Sequence, residues 1–246
     1  MRMPWQPNLI RCPLNRGNIR TSKDMPVLPL VSWSLFVPTN RDSRIELPFI
    51  EPLLRRRLSK LSRMALKVAY DCAHDLPSVS TIFASRHGEI HGSVAMLHDI
   101  SNRNKMSPTT FSLSVHNAVL GLFSIARADR SPSSAISAGC DTFFAALQEA
   151  AVRFYRDMTK PILLIYADEI LPDELAVFAS STDKGHAMAL LFSQSDAAKH
   201  LFFQWGQPRG KRNIGDPAIA FANFLNSGGT QFNWNGPRHS WEMALQ

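Results

Sequence analysis

The chain has 246 residues, 45% of them hydrophobic, enough for one large domain or two small ones around a substantial core. Its net charge of +7 and pI near 9.7 come mostly from residues 1–63, and the charges nearly balance from Arg86 onward, which argues for an acidic protein partner and against nucleic acid. No apolar run approaches the ~18 residues of a membrane span, and Cys12, Cys72 and Cys140 form no CxxC pair, so neither a zinc site nor a disulfide framework is indicated and a reducing cytoplasm is expected.

Residues 1–24 lack hydrophobic periodicity and have no continuous apolar core of the secretory kind. They are expected to form a flexible extension, with the folded unit spanning 25–246. A strand is predicted over Leu30–Val37, closed by Pro38. In "LLRRRLSKLSRMALKVAYDCAHD", Leu54, Leu58, Leu61, Ala65 and Val68 share one helical face. Arg55, Arg56, Lys60, Arg63 and Lys67 lie mainly off it, which describes a solvated basic side or a dock for an acidic carrier.

A short buried strand is predicted over Ser80–Ser85, a turn through "RHGEIHG", and a helix over Ser93–Ile100. His87 and His91 are four apart, as in HExxH, but Gly88 follows His87 and Glu89 stands two residues after it rather than one, so no metal is expected there. "TTFSLSVHNAVLGLFSIARA" reads as one helix, apolar on nearly all sides, which needs cover on both faces; a subunit interface would supply the second. Gly121 weakens such a helix by roughly 1 kcal/mol relative to alanine unless a neighbour's backbone approaches closely.

Ser133–Gly139 is strand-like, and a helix follows with Phe143, Leu147, Ala150, Ala151 and Phe154 inward. Pro161–Asp168 is a continuous apolar strand of the kind covered on both faces, and His186–Gln194 is another. "AIAFANFLN" predicts a last helix, and the tail from "GGTQFNWN" onward reads as irregular. Strands alternating with helices give an α/β layered fold with a mixed sheet.

Cys140 is the one candidate nucleophile, because it stands where a strand yields to a helix and a helix N-terminus favours a thiolate. Asp141 beside it opposes that charge and is a natural helix cap. None of the eight histidines lies in a motif marking it as Cys140's proton acceptor. There is no GxSxG elbow and no GK[ST] phosphate loop, and no cofactor is expected.

"LPFIEPLLRRRLSKLSRMALKVAY", "FASRHGEIHGSVAML", "SPTTFSLSVHNAVLGLFSIAR", "AISAGCDTFFAALQEA" and "ILLIYADEILP" together resemble the short β-ketoacyl-synthase-like chain-length-factor family. Members accompany ketosynthases in bacterial aryl polyene clusters, a form of type II polyketide or fatty-acid-like assembly. The resemblance runs from about Leu28 to Gln194 and implies the N-terminal half of a thiolase-like fold. It places Cys140 at the nucleophile position of a ketosynthase, where chain-length factors usually carry another residue. The two catalytic histidines of a full ketosynthase come from its second half, and no segment here resembles either motif.

The resemblance therefore implies a non-catalytic subunit that forms a heterodimer with a full-length ketosynthase and helps shape the acyl tunnel. An acyl carrier protein would dock on the basic helix. It also implies interface or tunnel roles for Phe111, Val115, Asn117, Val119, Phe123, Ser137 and Ala138. The competing expectation is an acyltransferase or ketosynthase-like enzyme that uses Cys140 as its thioester nucleophile.

Overall fold

The structure, a computed structural model, describes residues 26–39, 43–179, 184–195, 197 and 199–246. The expected N-terminal extension and Cys12 lie outside them. One eight-stranded mixed sheet runs through the molecule in the order β3-β2-β4-β5-β1-β6-β8-β7. The strands are β1 (Val27–Phe36), β2 (Ser80–Ala84), β3 (Ser133–Ile136), β4 (Ile162–Asp168), β5 (His186–Phe192), β6 (Lys199–Gly206), β7 (Gln231–Asn235) and β8 (Ser240–Leu245). β3, β2 and β4 run parallel, and every other neighbouring pair is antiparallel.

β4 explains why the sheet carries helices on both sides. All seven of its residues are buried. Ile162, Leu164 and Tyr166 pack with helices α6 (Thr142–Arg156) and α7 (Pro217–Ser227). Leu163, Ile165 and Ala167 pack with α2 (Lys60–Ala73) and α5 (Ala118–Arg127) on the other side. The continuous apolar run thus becomes two alternating sets at period 2, as expected for a three-layer α/β/α domain.

The helix expected from Leu54 to Val68 is broken. A short α1 (Pro52–Arg55) ends, and α2 starts afresh after Ser59, whose extended backbone and side-chain bond from the Ser62 N–H form an N-cap. The Arg63 guanidinium holds the break by donating to the Arg55 and Leu58 carbonyls at 2.6 and 3.3 Å. Lys67 pairs with Asp71. Two cations of the expected solvated face are therefore engaged within the chain.

Helix α3 spans Ile90–Ser101 and buries none of its residues. The expected single helix after it is also two. α4 (Pro108–Leu113) begins at the Ser107 cap, and α5 begins after Asn117. In α4 and just after it, the Ser112 and Ser114 hydroxyls donate to the Thr109 and Thr110 carbonyls, competing with the helix for its own backbone groups. The His116 ring is 3.0 Å from the Ser85 carbonyl and pins the turn between the two helices. The break distributes the apolar residues: Val119 and Phe123 are 1% and 6% exposed in the chain's own core, whereas Phe111, Val115 and Ile125 are 57%, 41% and 68% exposed.

The tail is not irregular. β7 and β8 form a hairpin, and β6 joins it to β1. Phe232 and Trp234, then Trp241, Met243 and Leu245, alternate inward. Asp216 caps α7 by accepting from the Ala218 and Ile219 N–H groups, with Pro217 at the first helical position. The two edges of the sheet differ. β7 is clasped by Asn213, whose N–H donates to the Asn235 carbonyl and whose side-chain oxygen accepts from the Asn235 N–H. Among the described residues no strand pairs with the outer edge of β3.

Glu89, at the start of α3, is buried against the start of α2 and accepts from the Ser59 and Ser62 hydroxyls at 2.7 and 2.9 Å. Burial raises its pKa above the ordinary 4.5, against the lowering effect of those two bonds. A carboxyl raised in the folded state binds protons there that the unfolded chain has lost. Stability should therefore fall as pH rises from about 4.5 through the raised value. Glu89→Gln keeps an acceptor for both hydroxyls and is expected to flatten that fall, measured by urea denaturation across the acidic range. An unchanged pH profile would assign the effect to other groups.

Candidate functional site

The sequence brings Cys140 to the surface by a specific turn. β3 ends at Ile136, and Gly139 takes φ +61°, a left-handed conformation that glycine adopts at no steric cost. Residues Gly139–Asp141 form one 3-10 turn, and α6 starts at Thr142. The Thr142 hydroxyl closes the turn, accepting from the Ala138 N–H at 2.9 Å and donating to the Gly139 carbonyl at 2.7 Å. Asp141 does not act as the side-chain cap the sequence suggested. It is buried and turns away, so that Oδ2 accepts from His239 Nδ1 at 3.1 Å while Oδ1 has no partner.

Cys140 is exposed and lines a cavity of about 370 Å³. The loop after β2, the end of β4, the start of β5, the segment before α7 and the β7–β8 hairpin supply the rest of the wall, including His87, Asp168, His186, Asp216 and Trp234. Two imidazoles thus line the same cavity as the thiol. Sequence motifs gave no sign of this, because β5 and the β2 loop meet only through the order of the sheet.

Three carboxylates organise the wall. Asp168 accepts from the Ser85 hydroxyl at 2.7 Å and from the Arg86 and His87 N–H groups at 3.0 Å each. Ser85 in turn accepts from the Gly88 N–H, and Gly88 sits at φ +60° with its missing Cβ 3.0 Å from the His116 ring. Glu169 Oε1 accepts from the Leu61 N–H at 2.7 Å. Asp216 Oδ1 lies 3.3 Å from His186 Nε2. Burial pushes the Asp216 carboxyl up, opposed by His186 and by the α7 N–H groups. Burial, then the charges of Asp168 and Asp216, raise the Tyr166 hydroxyl well above its usual range.

His186 itself is buried, and its Nδ1 stands 2.9 Å from the Lys184 carbonyl. A carbonyl only accepts, so Nδ1 carries a proton. Nε2 then faces Asp216 without making a hydrogen bond. His91 is turned to the Ile170 carbonyl, and among the described residues no three His, Cys, Asp or Glu side chains are grouped to hold a metal ion.

The other sequence candidates fall in α4 and α5, in the turn between them and in the turn that follows β3. Asn117 is exposed at the head of α5. Ser137 is exposed and donates to the Arg86 carbonyl at 3.3 Å, and Ala138 is half-buried in the turn before Cys140. No described helix is long and apolar enough to cross a membrane.

Cys72 contrasts with Cys140. Its thiol is buried in α2, and burial pushes it up to about 12. With Cys12 replaced by serine, the native protein is expected to take up a single equivalent of iodoacetamide at neutral pH, on Cys140. Cys72 should react only on unfolding; uptake of two equivalents by the native state would contradict the burial.

The model of the β-ketoacyl synthase N-terminal domain family matches residues 32–243. No curated protein matches the sequence. Among solved structures, a chain of the ketosynthase ApeO in complex with its chain length factor ApeC from Xenorhabdus doucetiae is similar, with a TM-score of 0.77 and 22% identity over 89% of this chain and 99% of that one. The ishigamide ketosynthase/chain length factor gives a TM-score of 0.53 at 15% identity, covering 77% of this chain and 60% of that one. A β-ketoacyl synthase from Burkholderia phymatum STM815 gives 0.51 at 12%, covering 77% and 58%. The chain thus spans little more than half the length of the last two, and at these identities the likeness is one of fold.

Proposed function

The chain belongs to the family of β-ketoacyl synthase N-terminal domains, and from that premise we propose that it is a non-catalytic, chain-length-factor-like subunit. It pairs with a full-length ketosynthase in type II polyketide- or fatty-acid-like assembly of the aryl polyene kind, works in the cytoplasm, and helps shape the acyl tunnel. The observation that carries this reading is a set of exposed large apolar side chains, Leu97 and Ile100 on α3, Phe111 and Val115 at α4 and Ile125 on α5. Among the described residues no strand covers the outer edge of β3. Greasy side chains of this size gain about 1.5–3 kcal/mol each on full burial, so a partner has much to cover.

In this reading Phe111, Val115, Asn117, Ser137 and Ala138 lie on the partner's side, and Val119 and Phe123 support them from beneath. Among the described residues outside its own helix turn, no atom lies within 4 Å of where a Cβ on Gly121 would be, so in this reading close approach there is left to the partner. An acyl carrier protein would use Arg55, Arg56 and Arg57 at the head of the basic region, since Arg63 and Lys67 are engaged internally.

Co-expression with a ketosynthase of the same organism, followed by size-exclusion chromatography with light scattering, tests the pairing. A 1:1 complex is expected, lost when Phe111 and Ile125 are both changed to glutamate. A stable monomer indifferent to the ketosynthase would sink the reading.

One observation favours the enzyme alternative: Cys140 is exposed in a cavity that also holds His87 and His186. Cys140→Ala in the reconstituted pair decides between the two. Unchanged product output supports the non-catalytic subunit, and abolished output with the complex intact supports a thioester nucleophile.

A further inference from the structure

From Lys199 to the C-terminus the charges do not balance: Lys199, Arg209, Lys211, Arg212 and Arg238 stand against Asp216 and Glu242. Both carboxylates are half-buried and committed within the chain, Asp216 as the cap of α7 and Glu242 as acceptor from the Gln204 side chain at 2.7 Å. Arg209, Lys211 and Arg212 lie on the loop between β6 and α7, and Arg238 lies in the turn between β7 and β8. All four are exposed, and among the described residues their side chains form no ion pair and no hydrogen bond. The two segments adjoin. At the end of β7, the Asn235 side chain accepts from the Arg209 N–H at 2.9 Å and donates to the Gly210 and Lys211 carbonyls at 3.1 and 2.9 Å. Asn213 exchanges bonds with the Asn235 backbone, and the Ser240 hydroxyl donates to the Gln207 carbonyl. The loop's backbone is thus turned inward onto the hairpin, while its cations and Ile214, 75% exposed, face water.

We propose that this loop and turn form a docking surface for an acidic polypeptide segment, whose carboxylates pair with Arg209, Lys211, Arg212 and Arg238 and whose apolar side chain covers Ile214. Three of the four cations are guanidinium groups, whose paired N–H donors match both oxygens of a carboxylate. The bonds from Asn235, Asn213 and Ser240 fix the backbone before any partner arrives, so little ordering entropy opposes docking. Ile214 separates the classes of polyanion. A phosphate backbone has no use for an aliphatic side chain among its cations, whereas an acidic segment with one apolar face buries it. The surface is separate from Arg55–Arg57, and it stands whether or not the chain pairs with a ketosynthase.

The probe is a short fluorescein-labelled peptide of glutamate with regularly spaced leucine, titrated against the full chain by fluorescence anisotropy. Saturable binding that weakens as salt is raised is expected, and none by the same peptide with glutamine in place of glutamate. Arg209→Gln, Lys211→Gln, Arg212→Gln and Arg238→Gln are each expected to weaken binding by about two- to fivefold, the range for exposed charge pairs. Ile214→Ser is expected to weaken it about tenfold, the lower end for full burial of such a side chain. The four glutamine changes together are expected to abolish it. Arg103→Gln, Lys105→Gln, Arg130→Gln and Arg156→Gln together remove the same charge from exposed positions elsewhere and are expected to leave binding unchanged. Absence of binding, or equal weakening by the two fourfold variants, overturns the proposal. Tighter binding of a short DNA duplex than of the peptide, lost with the loop cations, would assign the surface to nucleic acid and overturn it as well.

Discussion

Phe144→Ala is expected to remove about 3–5 kcal/mol of folding stability, the usual range for truncating a fully buried aromatic side chain. Phe144 has no exposed surface. Its ring stacks on Trp241 with centroids 4.6 Å apart and an interplanar angle of 8°, and meets Phe143 edge-on at 5.3 Å. It joins helix α6, which follows the Cys140 turn, to the C-terminal hairpin. The alanine variant leaves a void between layers that cannot close without moving β8. Domains of this kind have only about 5–15 kcal/mol in total, so the loss is a large fraction of it. Urea denaturation should show a lower midpoint with a similar slope, and Phe144→Leu a smaller shift. An unmoved midpoint would mean that the hairpin does not depend on this contact.

Asp168→Ala is the second large effect. The carboxylate lies at the end of β4 and satisfies one hydroxyl and two backbone N–H groups of the loop after β2. Removing it strands these donors in a site where Ser85 is fully buried. Each buried unsatisfied group costs about 1–3 kcal/mol, so a loss on the order of 3–5 kcal/mol is expected after partial relaxation. Asp168→Asn retains an acceptor on one side only and should fall between. Because the loop carries Arg86 and His87 into the cavity, alkylation of Cys140 should also change in rate. A variant as stable as the parent would show that the loop holds its own shape.

The parts legible from sequence were those whose period could not be mistaken. β4 and β5 are unbroken apolar runs, and α6 repeats Phe143, Leu147, Ala150, Ala151 and Phe154 on one face. The hairpin is hidden in the sequence because Asn and Gly between its aromatic residues resemble loop composition, although Phe232/Trp234 and Trp241/Met243/Leu245 alternate at period 2. β6 has a weak sequence signal because only Leu201 and Phe203 of its eight residues are fully inward. The two helix breaks turn on single capping residues, Ser59 and Ser107, inside otherwise helical patterns. At the site, the turn that presents Cys140 was readable from its small residues. The Asp141–His239 pair was not, because its members are 98 positions apart and meet only through the unrecognised hairpin. The cap at Asp216-Pro217 had a local signature that would have placed the start of α7 one residue earlier.

The rim at Ser133–Ile136, with which no described strand pairs, has a consequence for the chain on its own. Unpaired strand N–H and C=O groups accept any extended peptide, including those of identical molecules. Copies of the chain made without a partner to cover this rim are therefore expected to self-associate, which light scattering of the chain alone against its concentration would reveal.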